Sequence, residues 1–282
     1  MKVTEAIVEV LKEEGVEYVF GFPSHPLFDT DVARDAGIRT IVVRQERTGA
    51  HMADAIARVT SGDEIGAMAM QHGPGTENSF GGVQQAYAES APLVAMPAGY
   101  ARSKTDTDPK FNSFVNYRNV SKHCEQLKDP EAVGETLRRA FSAARSGRQR
   151  PAVVEFPLDV FDEEVGDIGY ESVASERTAP DPSSVETAVD VLLDAERPLI
   201  YAGQGVHYAK AWDELQELAE LVEAPVATSL NGKSAFDETH PLSVGAGSKS
   251  EPKQLTHFLH EADVIFGVGC SFTTTAYGIS VP

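Results

Sequence analysis

Ile65-Gly66-Ala67-Met68-Ala69-Met70-Gln71-His72-Gly73-Pro74-Gly75-Thr76-Glu77-Asn78 is the stretch on which the reading of this chain turns. Ile65 to Met70 holds no polar residue and is too short for a buried helix, so it reads as a buried strand. The glycine-proline turn stops it, and Pro74 suits the first turn of a helix that runs on to about Tyr87. Glycines at such a turn let a flat ligand approach the backbone, and the helix amides beyond would face that ligand. A tight strand-to-helix turn needs the same glycines and proline with no ligand at all. Both readings stand at this point.

The same alternation extends outward in both directions. Towards the amino terminus, Ile38 to Val43 is a β-branched run followed by a helix carrying Ala50, Ala53 and Ala57, stopped near Gly62. Before it, Val3, Ile7, Val10 and Leu11 fall at helical spacing behind Thr4, Gly15 closes that helix, and Val16 to Phe22 is a strand ended by Gly21-Phe22-Pro23-Ser24. Towards the carboxyl terminus come a strand at Leu93 to Met96, a helix from about Pro130 to Arg145 and a strand at Ala152 to Phe156. Strands alternating with helices argue for an α/β fold, a doubly wound parallel sheet with helices on both faces. Ligands in such sheets bind beyond the carboxyl ends of the strands, which singles out the loops Phe22–Ser24, Gln45–Thr48 and Gln71–Thr76.

Periodicity fails between Phe161 and Ser184, where acidic residues gather with Pro180 and Pro182. The expected organisation is a first domain over 1–165, a linker over 166–182 and a second α/β domain over 183–282. The second pattern reads as helix Ser183 to Ala195, strand Leu199 to Ala202, helix Ala209 to Val222, strand Pro225 to Thr228, helix Lys253 to Glu261 and strand Val264 to Val268. No helix follows that last strand before Gly278-Ile279-Ser280-Val281-Pro282, so this domain is expected to be incomplete.

Composition narrows the partners. Acidic residues number 43 against 24 basic ones, a formal net charge of −19. Nucleic acids and anionic membranes demand a basic face, so neither is expected to bind. The acidic residues are dispersed, as suits either a protein soluble in high salt, from an acidic proteome, or an ordinary acidic cytoplasmic enzyme. Two cysteines, Cys124 and Cys270, allow no disulfide framework or four-cysteine zinc site and are expected to be inert core residues. Met1-Lys2-Val3-Thr4-Glu5 opens no long apolar segment, and a cytoplasmic location is expected.

Glu46 stands where a strand gives way to a small-residue helix. A glutamate in a first helical turn complements the helix dipole, which is all that most such residues do. The ordered set changes that. A strand ending in Gly21-Phe22-Pro23 is followed by Arg44-Gln45-Glu46-Arg47-Thr48-Gly49-Ala50-His51-Met52-Ala53, then Gly73-Pro74-Gly75-Thr76-Glu77-Asn78, then Ala86-Tyr87-Ala88-Glu89-Ser90-Ala91-Pro92-Leu93-Val94. Ser121-Lys122-His123, Arg150 to Val160, Arg197 to Val206 and Ala235 to Leu242 continue it. This collinear series, over nearly the whole chain, resembles the acetolactate-synthase-like thiamin-diphosphate-dependent enzymes. It implies a pyrimidine-binding domain of flavodoxin-like topology followed by a truncated, Rossmann-like central domain.

The resemblance implies a lyase or transferase acting on a 2-oxo acid by decarboxylation, carboligation or both, with thiamin diphosphate as cofactor. Glu46 is then the catalytic residue, its carboxyl hydrogen-bonding the ring nitrogen N1′ of the aminopyrimidine so that N4′ can take the proton from thiazolium C2. Phe22, Pro23, Gly73, Pro74 and Asn78 fall at cofactor-lining positions, and His72 stands where it could face substrate as a proton donor. His72 also has a reading as an ordinary turn histidine. The family's diphosphate-binding domain, which holds Mg2+ and through it the diphosphate, finds no counterpart. A homo-oligomer, at least a dimer, or a partner chain must supply it, and the chain by itself is expected to be inactive. Phe111-Asn112-Ser113-Phe114 lacks the Phe-Gln pair of acetolactate synthases. Gly245-Ala246-Gly247-Ser248 replaces the segment of flavin-carrying members, so FAD is not expected. Two alternatives are a non-catalytic or split subunit and a dinucleotide-binding oxidoreductase using Gly203-Gln204-Gly205 and Gly267-Val268-Gly269. The latter pair lacks the third glycine of the fingerprint.

Overall fold

The computed structural model describes residues 1–29, 31–105, 110–174, 178–250, 252–273 and 276–281. Among these, the chain divides into two compact units, Met1–Arg177 and Thr178–Pro282. Ser175 to Arg177, inside the expected linker, and Pro282, at the end of the second domain, lie outside the described residues.

In chain order the first unit runs α1 (Val3–Glu13), β1 (Tyr18–Gly21), α2 (Pro26–Asp29), α3 (Val32–Asp35), β2 (Arg39–Val42), α4 (Glu46–Val59), β3 (Gly66–Met70), α5 (Pro74–Ala88), β4 (Leu93–Gly99), α6 (Ser113–Tyr117), β5 (His123–Gln126), α7 (Val133–Arg145) and β6 (Ala152–Pro157). All pairings are parallel, in the order β2-β1-β3-β4-β6-β5. Every residue of β3, β4 and β6 is buried, as befits strands covered on both faces.

Alternate strand residues feed two cores, because side chains point to opposite faces at period two. Val19, Ala67, Ala69, Val94, Met96, Val154 and Phe156 join α1 and α7. Phe20, Met68, Met70, Leu93, Ala95 and Val153 join α4, α5 and Tyr117 of α6. The α4–α5 face is built from small side chains. A Cβ built on Gly82 would stand 2.5 Å from the Ala50 Cβ, so any larger residue there would force the two helices apart. Close helices bring their amino-terminal turns together at the carboxyl end of the sheet.

Residues 161–170 do not behave as a free connector. Phe161, Val165 and Tyr170 are buried in the α1–α7 core, and Lys2 bridges Glu164 in antiparallel fashion. The Tyr170 hydroxyl donates to Glu14, which also pairs with Arg145, and the Arg138 guanidinium lies 5.0 Å over the Tyr170 ring. Phe161 and Val165 fall within the expected first domain, whereas Tyr170 anchors the start of the expected linker, because one aromatic among acidic residues and glycines leaves no periodic signal.

The second unit runs α8 (Pro182–Leu193), β7 (Pro198–Ala202), α9 (Gly205–Ala209), α10 (Trp212–Leu221), β8 (Val226–Ser229), β9 (Ser243–Gly247), α11 (Lys253–Glu261) and β10 (Val264–Val268). Its parallel sheet has the order β10-β7-β8-β9. The helix expected over Ala209 to Val222 is split, because Lys210 takes a left-handed conformation at φ 53° and closes α9 before Trp212 opens α10.

Candidate functional site

Three strand ends assemble the site. β1 ends at Gly21 and hands over to Phe22 and Pro23, both exposed. β2 is followed by α4, whose first residue is Glu46, and β3 by α5, whose first residue is Pro74. β1 and β3 are adjacent, yet the chain leaves β1 for the edge strand β2 and returns to β3. The strand order reverses between them, the position at which such sheets take ligands. Ser24 Oγ donates to Gln71 Oε1 at 3.3 Å, tying the two loops together.

Glu46 is only 8% exposed, although it is a carboxylate at a helix end. The Asn78 amide Nδ2 donates to its Oε2 at 2.7 Å, a charge-assisted bond that fixes the carboxylate plane. Its Oε1 lies against the glycine-proline turn, where a Cβ built on Gly75 would come within 2.9 Å. The helix amino terminus adds a favourable field for the negative charge. The structure thus brings together Glu46, Gly75 and Asn78, which belong to two different βα connections.

Gly73 precedes Pro74 at φ 64° and ψ −113°, a region open to glycine alone, and a Cβ there would meet the Tyr100 hydroxyl at 2.8 Å. His72 stands on the other side of the turn. Its ring meets Tyr100 edge-on with centroids 4.9 Å apart, and its Nδ1 is buried without a hydrogen-bond partner among the described residues. The Lys110 ammonium lies 4.5 Å over the Tyr100 ring. Burial first, and the Lys110 charge second, lower the His72 pKa, so its imidazole is neutral at pH 7.

Sequence reasoning passed over Tyr100, Lys110 and Tyr117. Tyr100 follows the last residue of β4, a position that the carboxyl-end rule covers. Tyr117 sits three residues beyond Phe114 and six beyond Phe111, a helical spacing inside a stretch that reads as irregular. His123 lies apart from the turn, in β5, with Nε2 3.0 Å from Glu125 Oε2. Cys124 and Cys270 are free and partly buried, each packed against a core rather than enclosed in it. Burial pushes the Cys124 thiol up to about 12 and raises that of Cys270.

In the second unit the paired glycine turns are used up by each other. A Cβ on Gly203 would fall 2.4 Å from the Gly269 carbonyl oxygen, and one on Gly205 would fall 2.7 Å from the Gly269 Cα. These glycines serve loop-on-loop packing after β7 and β10.

Comparison with known proteins bears on both units. Residues 1–127 match the thiamine pyrophosphate enzyme N-terminal TPP binding domain, and residues 185–282 match the thiamine pyrophosphate enzyme central domain. The chain belongs to the thiamine pyrophosphate enzymes. It is 34% identical, over 99% of its own length, to a probable acetolactate synthase large subunit of Methanocaldococcus jannaschii. It is 33% identical, over 95% of its length, to the acetolactate synthase isozyme 3 large subunit of Escherichia coli, and each alignment covers 48% of the relative. The acetolactate synthase large subunit of Parasynechococcus marenigrum is 32% identical over 97% of the chain and 46% of its own length. The chain thus spans about half the length of the curated relatives it matches. Glu46, Asn78 and the glycine-proline turn all fall inside the matched TPP-binding domain of this family member. Among the described residues no helix is long and apolar enough to cross a membrane.

Proposed function

We propose that this thiamine pyrophosphate enzyme chain supplies the aminopyrimidine side of a thiamin-diphosphate site in an acetolactate-synthase-like enzyme. The substrate is a 2-oxo acid, decarboxylated, ligated to an acceptor, or both. The observation that carries the reading is the buried Glu46 carboxylate, held by Asn78 against the Gly73-Pro74-Gly75 turn. The residues fit the cofactor: Gly75 leaves the space a Cβ would fill beside Oε1, while Phe22 and Pro23 stand exposed at the adjacent loop. Phe22, Pro23, Glu46, Gly73, Pro74 and Asn78 would hold the ring.

When bound, thiamin diphosphate supplies an acidic thiazolium carbon and an electron sink for a departing carboxylate. Glu46 shares a proton between its carboxyl oxygen and a ring nitrogen, a task that a fixed, largely dry carboxyl performs better than a solvated one. Asn78 keeps that carboxyl from rotating away. His72, neutral at pH 7, offers an N–H to a substrate oxygen. The diphosphate and its Mg2+ are held by residues outside these two units, whether on the same chain, a second copy or a partner, in keeping with relatives about twice as long. No flavin takes part: Gly245 to Ser248 departs from the flavin-carrying pattern, and the Gly203–Gly205 turn is filled by Gly269. The enzyme works in the cytoplasm.

The test is titration of thiamin diphosphate and Mg2+ into the chain, alone and with any co-purifying partner, followed by pyruvate turnover and exchange of the cofactor's C2 proton. Glu46→Gln is expected to slow exchange by roughly 10²–10⁴-fold, the usual worth of a positioned proton-transfer group. An unchanged rate would remove Glu46 from the chemistry, and no binding in either condition would end the reading.

A further inference from the structure

We infer that Tyr117 is a positioning residue of this site: its buried hydroxyl, bonded to the first turn of α5, fixes the Asn78 amide on the Glu46 carboxylate. This rests on the reading of Glu46 given above. The first turn of a helix is its least constrained part, because its amides lack intrahelical partners. Asn78 is the fifth residue of α5, directly after that turn, and has to aim one side-chain N–H at a carboxylate from another helix.

The geometry supplies the constraint. Tyr117 is fully buried, and its hydroxyl donates to the Thr76 carbonyl at 2.6 Å. The Ser79 hydroxyl lies 2.8 Å from the Tyr117 oxygen and 2.9 Å from the same carbonyl. With Tyr117 donating to Thr76, the phenol oxygen is left to accept, and Ser79 holds the one remaining hydroxyl proton of the triangle. Thr76 is fixed in turn by its own hydroxyl, which donates to the Gln71 carbonyl at 2.8 Å. Thr76 and Ser79 bracket Asn78, so this triangle grips the backbone on both sides of it.

Tyr117 is itself held. Phe80 packs edge-on against its ring with centroids 5.2 Å apart. The opposite end of α6 is anchored to the sheet by Glu155, a buried carboxyl of β6 that accepts from the Phe114 amide at 3.3 Å and from the Gln126 side chain. A line of contacts therefore runs from β6 through α6 to the α5 turn. It touches neither the cofactor pocket nor Glu46 directly, which distinguishes positioning from catalysis.

The test is Tyr117→Phe in the full chain, which removes the hydroxyl and keeps the ring. In the ligand-free protein the Asn78 side-chain amide resonance, shifted downfield by its carboxylate partner, is expected to move upfield while the α1 and β6 amides stay in place. Thiamin diphosphate with Mg2+ is expected to bind about fivefold more weakly to the variant than to wild type, or roughly 1 kcal/mol at 1.4 kcal/mol per decade. That loss should vanish when Tyr117→Phe is made in an Asn78→Ala background. An Asn78 resonance that stays put, even with a lower melting temperature, would overturn the inference and leave Tyr117 a packing residue. Equal loss with and without Asn78 would overturn it as well. Failure of wild type to bind the cofactor would instead strike the reading of Glu46, and the resonance would still decide whether Tyr117 holds Asn78.

Discussion

Acidification should weaken the first unit through one histidine. His25, in the loop after β1, is 0% exposed and packs edge-on against Phe161 at 5.2 Å between centroids. Its Nδ1 accepts from the Leu27 amide at 3.2 Å, which leaves the proton on Nε2, where no hydrogen bond of normal geometry forms among the described residues. Burial lowers its pKa from 6.5 to about 3, with a weaker opposing pull from the Met96 carbonyl. The folded state keeps this ring neutral, while the unfolded chain protonates it below 6.5. Stability is therefore fully present above pH 6.5 and falls by about 1.4 kcal/mol per pH unit between there and pH 3.

Between pH 7 and pH 5 His25 alone should remove roughly 2 kcal/mol. The whole chain cannot be read so simply, because its net charge of −19 shrinks over the same range and relieves self-repulsion. The comparison that isolates the residue is wild type against His25→Asn, whose carbonyl can still accept from the Leu27 amide. Urea unfolding followed by far-UV circular dichroism should show wild type losing about 2 kcal/mol more than the variant from pH 7 to pH 5. Fluorescence of Trp212, the chain's one tryptophan, lies in the second unit and should show no such difference. Equal losses in the two proteins would refute the argument that the native imidazole stays neutral.

Further perturbations address the site and its support. Gly75→Ala places a methyl 2.9 Å from Glu46 Oε1, so the carboxylate must swing off Asn78. The charge-assisted bond is lost, and cofactor affinity should fall roughly tenfold or more; unchanged binding by titration calorimetry would show that the carboxylate has room to spare. Arg145→Met leaves Glu14, whose side chain is 1% exposed, with the Tyr170 hydroxyl but without its cation. The expected cost is about 3 kcal/mol, seen as a fall in melting temperature of roughly 10 °C, whereas a fall below about 2 °C would mean that Glu14 is easily rehydrated.

The parallel sheets and their cofactor-facing end were legible because the signals are local. A buried strand declares itself by a short apolar run such as Ile65 to Met70, and a helix start by glycine and proline next to a periodic stretch. Glu46 and the Gly73-Pro74-Gly75 turn carry their meaning in order along the chain, and so could be picked out beforehand. β5 and β9 could not, because His-Cys-Glu-Gln and Ser-Val-Gly-Ala-Gly have neither an apolar run nor an alternation that outweighs their surroundings. They are strands because a neighbouring strand offers a ladder, a tertiary fact.

By itself, the sequence determined that strands and helices alternate, where three loops gather at one end of a sheet, and which carboxyl stands at a helix start. Only the folded structure decided that Asn78, 32 residues away, would grip that carboxyl, that Tyr117 would clamp the turn carrying it, and that Tyr170 would anchor a stretch composed like a linker. Propensity and periodicity act over a few residues and leave marks that can be read in order. A hydrogen bond between two helices depends on how closely they pack, and that distance is set by Gly82 against Ala50, in a contact no local pattern records.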